Sequence, residues 1–452
     1  MKPSPKTDVI VVGTGPGGAT VAREMTRRNQ AVLMLEWGGN QAIKGTMPQF
    51  ARAAAIPGRS FLMTPDLCGM IRGITTGGSS VFYYATAFDP PLETFDACGI
   101  DLRAEVDEIR SELPMQPLSD DLMGPMAHRM MASARDLGYN WQKLPKFIDQ
   151  DKCRPDCFRC NYGCPEGAKW SGRMFVDEAL QRDARLIKRA RVERVIVENG
   201  NAVGVEYRRK GKVQRVYADT VVLSAGGIGS PLILRASGIK DAGYDFFFDP
   251  LISVMGTIDE AVGGHEIPMA GGMHVEEDGY VMTDMTLPWS LHAVLNTAVG
   301  RIDQLHTHPK TLQIMIKIKD QLGGRITDTG GIRKRLSEAD KVKIFKGYAR
   351  AREILAHAGA RGIHRSTYLA AHPGGTAKIN DVVDTDLKTA IDNLYVCDCS
   401  VMPEAWGLPP TFSLIALGKR LAKHLAGGSV RQGEAVKGPA GEVNQIHAFG
   451  SR

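Results

Sequence analysis

Four cysteines fall within twelve residues, Cys153, Cys157, Cys160 and Cys164, spaced C-x3-C-x2-C-x3-C with a proline after the last. The last three keep the C-x2-C-x3-C-P order that holds iron–sulfur clusters. Thiolates gathered this tightly select Zn, Cu(I) or iron–sulfur, because all are soft ligands. A 4Fe-4S cluster is the favoured occupant and a structural zinc its alternative, since zinc usually takes two cysteine pairs set further apart. The second chemical signal lies at the start of the chain. Gly13-Thr-Gly15-Pro-Gly17-Gly18 follows an apolar run, and an acid, Glu36, comes eighteen residues later.

Those residues need particular elements to hold them. Residues 8–13 read as a buried strand, 19–28 as a helix and 31–35 as a second strand ending at Glu36. Strand, Gly-x-Gly-x-x-Gly, helix, strand and acid together form a dinucleotide fingerprint in full context. Gly15 lets the backbone approach a pyrophosphate, the helix N-terminus stabilises its charge, and Glu36 accepts from ribose hydroxyls. The fingerprint by itself fits NAD or FAD equally. Arg72-Gly-Ile-Thr-Thr-Gly77-Gly78-Ser79-Ser80 is a small-residue loop able to wrap a flavin or its phosphates. Short strands at 192–197, 202–208 and 214–218 form a meander that would complete an FAD domain, with Val192 at its start. Thr220-Val-Val-Leu-Ser-Ala225-Gly226 then runs from a strand into a glycine-rich turn and a helix.

In this order the motifs resemble those of the glucose–methanol–choline (GMC) family of flavoprotein oxidoreductases. The resemblance includes His372-Pro-Gly-Gly-Thr376, the stretch from Asp392 through Asp398 and Ser400 to Pro403, and Pro409-Pro410-Thr411-Phe412 before an apolar-faced helix. It covers residues 8–426 and is weakest between 244 and 313. It implies an α/β fold: a GMC-type FAD-binding Rossmann-like domain with a smaller α+β substrate domain. It also implies His372 as the base beside the flavin and Asp398 near the ribityl or phosphate region. The helix opening at Thr411 and Phe412 would aim its positive end at the flavin ring. Cofactor contacts are expected from Gly13, Gly15, Gly17, Gly18, Glu36, Gly77, Gly78, Ser79, Ser80, Val192, Ala225, Gly226, Asp398, Thr411 and Phe412.

Two departures from the family pattern matter. Where the family places a second His or Asn, this chain has Pro409, whose side chain neither donates nor accepts. A partner for His372 is therefore sought in the middle segment, among His265, His274, His292, His306 and His308. No histidine stands in the Gly77–Ser80 loop, so FAD should be non-covalent. Gly163-Cys164-Pro-Glu-Gly-Ala168 is similar to a stretch in bacterial GMC dehydrogenases, some of which carry an iron–sulfur cluster. Basic residues nearby, Lys152, Arg154 and Arg159, would offset the charge of such a cluster.

Composition sets the outer bounds. The 452 residues are 43% hydrophobic and 23% charged, as in globular proteins. A net charge of +6 with no block of like charge gives no reason to expect nucleic acid. No apolar run is long enough for a transmembrane segment, and a cytoplasmic location is expected. The expected division is an FAD-binding domain over 1–243 (cysteine segment 151–172 inserted), a substrate domain over 244–369, a return over 370–426 and a flexible tail over 427–452. The leading expectation is a dehydrogenase rather than an oxidase. It would remove hydride from a CH–OH group of a small-molecule substrate and pass electrons through the cluster to a ferredoxin-like protein, quinone or cytochrome. One alternative runs electrons inward to reduce a C=C or C=O bond; another is a redox subunit without substrate chemistry.

Overall fold

The computed structural model of the chain describes residues 7–429. Most of the expected tail lies outside the described residues, although the last helix continues to Ser429. Val9–Val12 forms the centre of a five-stranded parallel sheet. Val32–Glu36 and Arg185–Lys188 lie to one side, Thr220–Leu223 and Leu394–Val396 to the other. The central strands are buried along their whole length, which is why they read as unbroken apolar runs. Chain order reverses at Val9–Val12: its next strand lies on one side and a much later one on the other. The crevice beyond the carboxyl end of such a strand is the usual ligand position in an open α/β sheet.

Helix Pro16–Arg27 covers this sheet and packs against helices Gly172–Gln181 and Thr411–Ser429. Arg23 anchors it. That side chain is 1% exposed, pairs with Glu24 and Glu112 at 2.9 and 2.8 Å, and lies 3.4 Å from the Phe175 ring centroid. The expected meander is present as antiparallel strands Arg191–Glu198, Asn201–Arg209 and Lys212–Tyr217.

A nine-stranded sheet makes the second layer. Pro250–Thr257, Thr311–Ile318, Tyr280–Asp284 and Gly271–Val275 run antiparallel at its centre. Phe61–Met63, Gly69–Ile71 and Gln142–Lys143, from much earlier in the chain, join its two ends. Helix Glu338–His357 lies across it, opened by a capping box in which Ser337 and Asp340 satisfy each other's backbone N–H. Among the described residues no helix is long and apolar enough to cross a membrane.

Candidate functional site

The glycine turn sits at the carboxyl end of Val9–Val12. A Cβ on Gly13 would fall 2.2 Å from the Ser224 carbonyl oxygen, and one on Gly17 2.2 Å from that of Cys397. These two glycines let helix and strands close on each other. Gly15 differs: it caps the helix, and a Cβ there would meet nothing within 4 Å. The space before the helix N-terminus is therefore open, and no side chain caps it. Gly77 and Gly78 both take positive φ and bring their loop onto this turn, so that a Cβ on Gly78 would lie 2.9 Å from the Gly15 Cα. Ser79 accepts from the Gly73 N–H at 2.9 Å, and Ser80 from the Gly172 N–H at 2.9 Å. The two serines thus staple the loop to itself and to the helix behind it.

Glu36 is buried with no cation paired to it among the described residues. One carboxylate oxygen accepts from Thr14 Oγ1 at 2.6 Å, the other from the Gly38 N–H at 2.6 Å, while burial pushes its carboxyl above the usual range. Asp398 is enclosed by protein donors: the Gly226 N–H and Ser230 hydroxyl at one oxygen, the Ser400 N–H at the other. It ties the turn at Ala225 and Gly226 to the segment that follows strand Leu394–Val396. Val192 is buried in the meander. Thr411 and Phe412 are buried at the head of the terminal helix, where Pro410 accepts the first helical bond and Phe412 packs edge-on to Phe147.

His372 has a partner that the five middle-segment histidines do not supply. Its Nδ1 lies 3.0 Å from Asp249 Oδ2, and Lys317 Nζ lies 3.3 Å from the same nitrogen and 3.5 Å from the carboxylate. Asp249 and Lys317 are each 2% exposed; His372 is 27% exposed, so only the imidazole reaches open space. A carboxylate at Nδ1 favours the tautomer in which Nδ1–H donates to Asp249 and Nε2 is the acceptor. Burial, and then the Lys317 charge, hold the imidazole below its ordinary pKa against the opposing pull of Asp249. Lys317 is itself lowered to about 8 by burial, with Asp249 acting against the shift.

Asp249 is built in firmly. Its backbone is left-handed (φ 47°), a conformation costly for a non-glycine residue, and its N–H donates to Asp320 at 3.1 Å. Asp320 in turn pairs with buried Lys334 at 2.9 Å. Of the expected candidates, His265, His292 and His308 meet one another, with ring centroids 6.4 and 5.3 Å apart, rather than His372. His274 and His306 make no hydrogen bond to it among the described residues. The overlooked signal was a charge inside an apolar run: Lys317 closes Leu312-Gln-Ile-Met-Ile, and Asp249 follows Phe246-Phe-Phe.

All four clustered cysteines line a single recess together with Ile148 and Ala168, and all are free thiols. Burial and then the neighbouring thiols push Cys153 up to about 12; Cys160 is raised too, by burial first. Among the described residues no three His, Cys, Asp or Glu side chains stand close enough to hold a metal ion. The thiols surround the recess without converging on one point. Of the three charges expected to offset a cluster, Lys152 pairs with Asp149 and Arg154 with Glu166, both at 2.6 Å, and Arg159 lines the recess.

The GMC oxidoreductase family is matched twice, by its N-terminal model over residues 17–263 and its C-terminal model over 324–418. The chain is 25% identical to an uncharacterized GMC-type oxidoreductase of Mycobacterium tuberculosis, across 92% of this chain and 75% of that protein. It is 21% identical to a long-chain-alcohol oxidase of Arabidopsis thaliana, across 94% and 69%. Its fold is that of pyridoxine 4-oxidase from Mesorbium loti, with a TM-score of 0.70 at 18% identity over 93% of this chain and 99% of the other. The overall fold thus has its counterpart in a solved structure, and the chain belongs to the GMC oxidoreductase family of FAD-dependent enzymes.

Proposed function

We propose that this protein is a dehydrogenase that oxidises a CH–OH group, with His372 as its base and the cysteine recess as its electron outlet. The observation that carries the reading is the His372–Asp249–Lys317 arrangement. Nε2 of His372 would take the proton of the substrate hydroxyl, and bound FAD would supply the acceptor for the hydride of the adjoining C–H as the carbonyl forms. Asp249 keeps the imidazole in the accepting tautomer and stabilises the imidazolium that results. Lys317 balances the Asp249 charge, so that His372 stays neutral and able to accept before the reaction. FAD, when bound, supplies the hydride acceptor; an iron–sulfur cluster, when bound, would carry the electrons off singly.

The cofactor side rests on the open space before Gly15 and the buried acceptor Glu36, which suit a pyrophosphate and a ribose. Gly77, Gly78, Ser79, Ser80, Ala225 and Gly226 frame the same crevice. We assign the parallel-sheet layer to the cofactor and the nine-stranded layer, which supplies Asp249 and Lys317, to the substrate. The alcohol class is supported by the likeness to a long-chain-alcohol oxidase. The cluster reading rests on four free thiols around one recess. A zinc ion needs its sulfurs drawn in to about 2.3 Å, whereas a cluster spreads its ligands more widely.

The test is an anaerobic screen of primary and secondary alcohols against the FAD-loaded protein. Bleaching of the flavin by an alcohol, lost in His372→Gln, supports the reading. Reduction only by an external low-potential donor, with reoxidation by an unsaturated or carbonyl compound, contradicts it.

A further inference from the structure

The two faces of the nine-stranded sheet are built from different side chains. On Pro250–Thr257 and Thr311–Ile318, the face toward helix Glu338–His357 carries Ile252, Val254, Leu312, Ile314 and Ile316. A Cβ on Gly347 of that helix would come 2.7 Å from the Ile316 side chain. The opposite face begins beside the base. Lys317 stands opposite Leu251, and Leu251 opposite Leu369. Paired antiparallel residues share a face, as do residues two apart along a strand. That face therefore continues from Lys317 to Met315 and from Leu251 to Met255. Met285 extends it, with its N–H donating to the Gln313 carbonyl at 2.9 Å. Met255, Met285 and Met315 form one buried cluster with Met269, Leu287 and Leu295. Leu251, Leu369 and Tyr84 pack against it, and Tyr84 lies just past the Gly77–Ser80 loop that frames the crevice.

The chemistry of this face differs from that behind it. Branched Ile and Val have few rotamers and make a fixed core, whereas Met is unbranched and repacks around whatever it meets. Four of the six buried side chains in the cluster are methionine, so the surface beside the partners of His372 is an adaptable one. It offers little to a sugar. Ser253 and Gln313, which share the face, bond to each other at 2.8 Å. Thr283, opposite Met315, adds one buried hydroxyl that has no partner among the described residues. A polyol placed here would bury several hydroxyls against carbon and sulfur, and each buried unpaired hydroxyl is costly.

Helix Trp289–Ala298 covers the cluster, with Leu295 buried in it and Leu291 packed against it. The outer side of this helix is not polar, since Trp289 and Val294 are 58% and 57% exposed. A surface helix ordinarily turns polar residues outward. An apolar molecule thus meets apolar side chains on both sides of the cover.

We propose that the substrate is an alcohol with a long apolar chain, its hydroxyl at His372 and its chain on the methionine face beneath helix Trp289–Ala298. The inference rests on the reading of His372 as the base and adds the class of alcohol that the base serves. Met255, Met285 and Met315 set the specificity. Rotation of their side chains and a shift of the covering helix make room for the chain.

The experiment uses the FAD-loaded full chain under anaerobic conditions with linear primary alcohols from ethanol to 1-decanol, and with glycerol and glucose. The second-order rate constant of flavin bleaching should rise about threefold to fourfold for each methylene added. Hydrogen exchange over residues 287–298 is measured alongside, and 1-decanol should change it where ethanol at equal concentration does not. Met315→Gln, similar in length but polar, should flatten the series, whereas Ile314→Val on the opposite face should leave its slope unchanged. A methionine that merely fills the core would alter the rates for all alcohols alike and keep the slope. If Met315→Gln fails to fold, the wild-type series and the exchange decide. A flat series, or faster bleaching by glycerol or glucose than by 1-decanol, overturns the inference and leaves His372 as the base when His372→Gln abolishes that bleaching. An exchange change with 1-decanol but no bleaching by any alcohol overturns the reading of the base and upholds the apolar site. Neither bleaching nor an exchange change overturns both.

Discussion

The acid–base behaviour of His372 follows from three side chains brought together across long stretches of chain. Asp249 lies 123 residues before it and Lys317 55 residues before it. Burial and the Lys317 charge lower the His372 pKa from 6.5, so the imidazole stays neutral, and able to accept a proton, further into acid than a free histidine. The acid limb of kcat/KM should therefore break below pH 6.5. In Lys317→Met a cause of the lowering is gone and Asp249 is left unbalanced; both changes raise the His372 pKa, and the limb should move to higher pH. A wild-type limb at or above pH 6.5, or one that Lys317→Met leaves in place, would contradict this. His372→Gln should lose about 10²–10⁴-fold in kcat/KM, the usual worth of a positioned general base. Asp249→Asn should lose activity with KM little changed, because it disturbs the tautomer and not the binding surface. None of this pairing was legible in the sequence. His372 stood out by its motif, but its partners are set by how the strands before and after Asp249 and Lys317 register in a sheet. A charge in an apolar run says only that a partner exists.

The elements around the glycine turn divide fold from ligand binding. Gly13 and Gly17 meet backbone carbonyls at once, whereas Gly15 faces open space at an ordinary φ of −64°. Gly15→Ala should therefore keep the wild-type circular dichroism and melting temperature yet purify with less flavin. Gly17→Ala should lose stability as well. Equal flavin content in Gly15→Ala would show that the space before the helix holds no cofactor phosphate. The same helix has an electrostatic anchor that its apolar pattern does not announce. Arg23 is buried between Glu24, Glu112 and the Phe175 ring. Removing it withdraws one of several cations from Glu24 and Glu112, and Arg23→Met should lower stability in denaturant unfolding. Burial pushes Glu112 up, but bonds from Arg23 and Lys419 outweigh it and hold its carboxyl at about 2. Its contribution to stability is complete above the ordinary value of 4.5 and fades as pH falls toward 2. Arg23→Met should flatten wild-type stability loss in that window.

At the scale of the molecule, the parallel layer was legible and the antiparallel layer much less so. Unbroken apolar strands, a glycine turn and alternating helices announce the first through local pattern alone. The second is assembled from far-separated pieces: Phe61–Met63, Gly69–Ile71 and Gln142–Lys143 are two or three residues long and join a sheet whose centre begins at Pro250. Strands that short carry no periodicity, so only the finished sheet reveals them. The cysteine spacing was plain in the sequence, but its charge environment was not. The exposed Lys152 and Arg154 are each paired with a carboxylate, while the buried Lys169 lines the recess. Whether the four thiols hold a cluster decides the proposed electron outlet. The most direct measurement is iron, zinc, acid-labile sulfide and flavin content of anaerobically purified protein, with EPR after reduction by dithionite. The expected result is one flavin and one four-iron cluster per chain with a reduced-cluster signal; iron-free protein with flavin alone, or with stoichiometric zinc, would contradict the account.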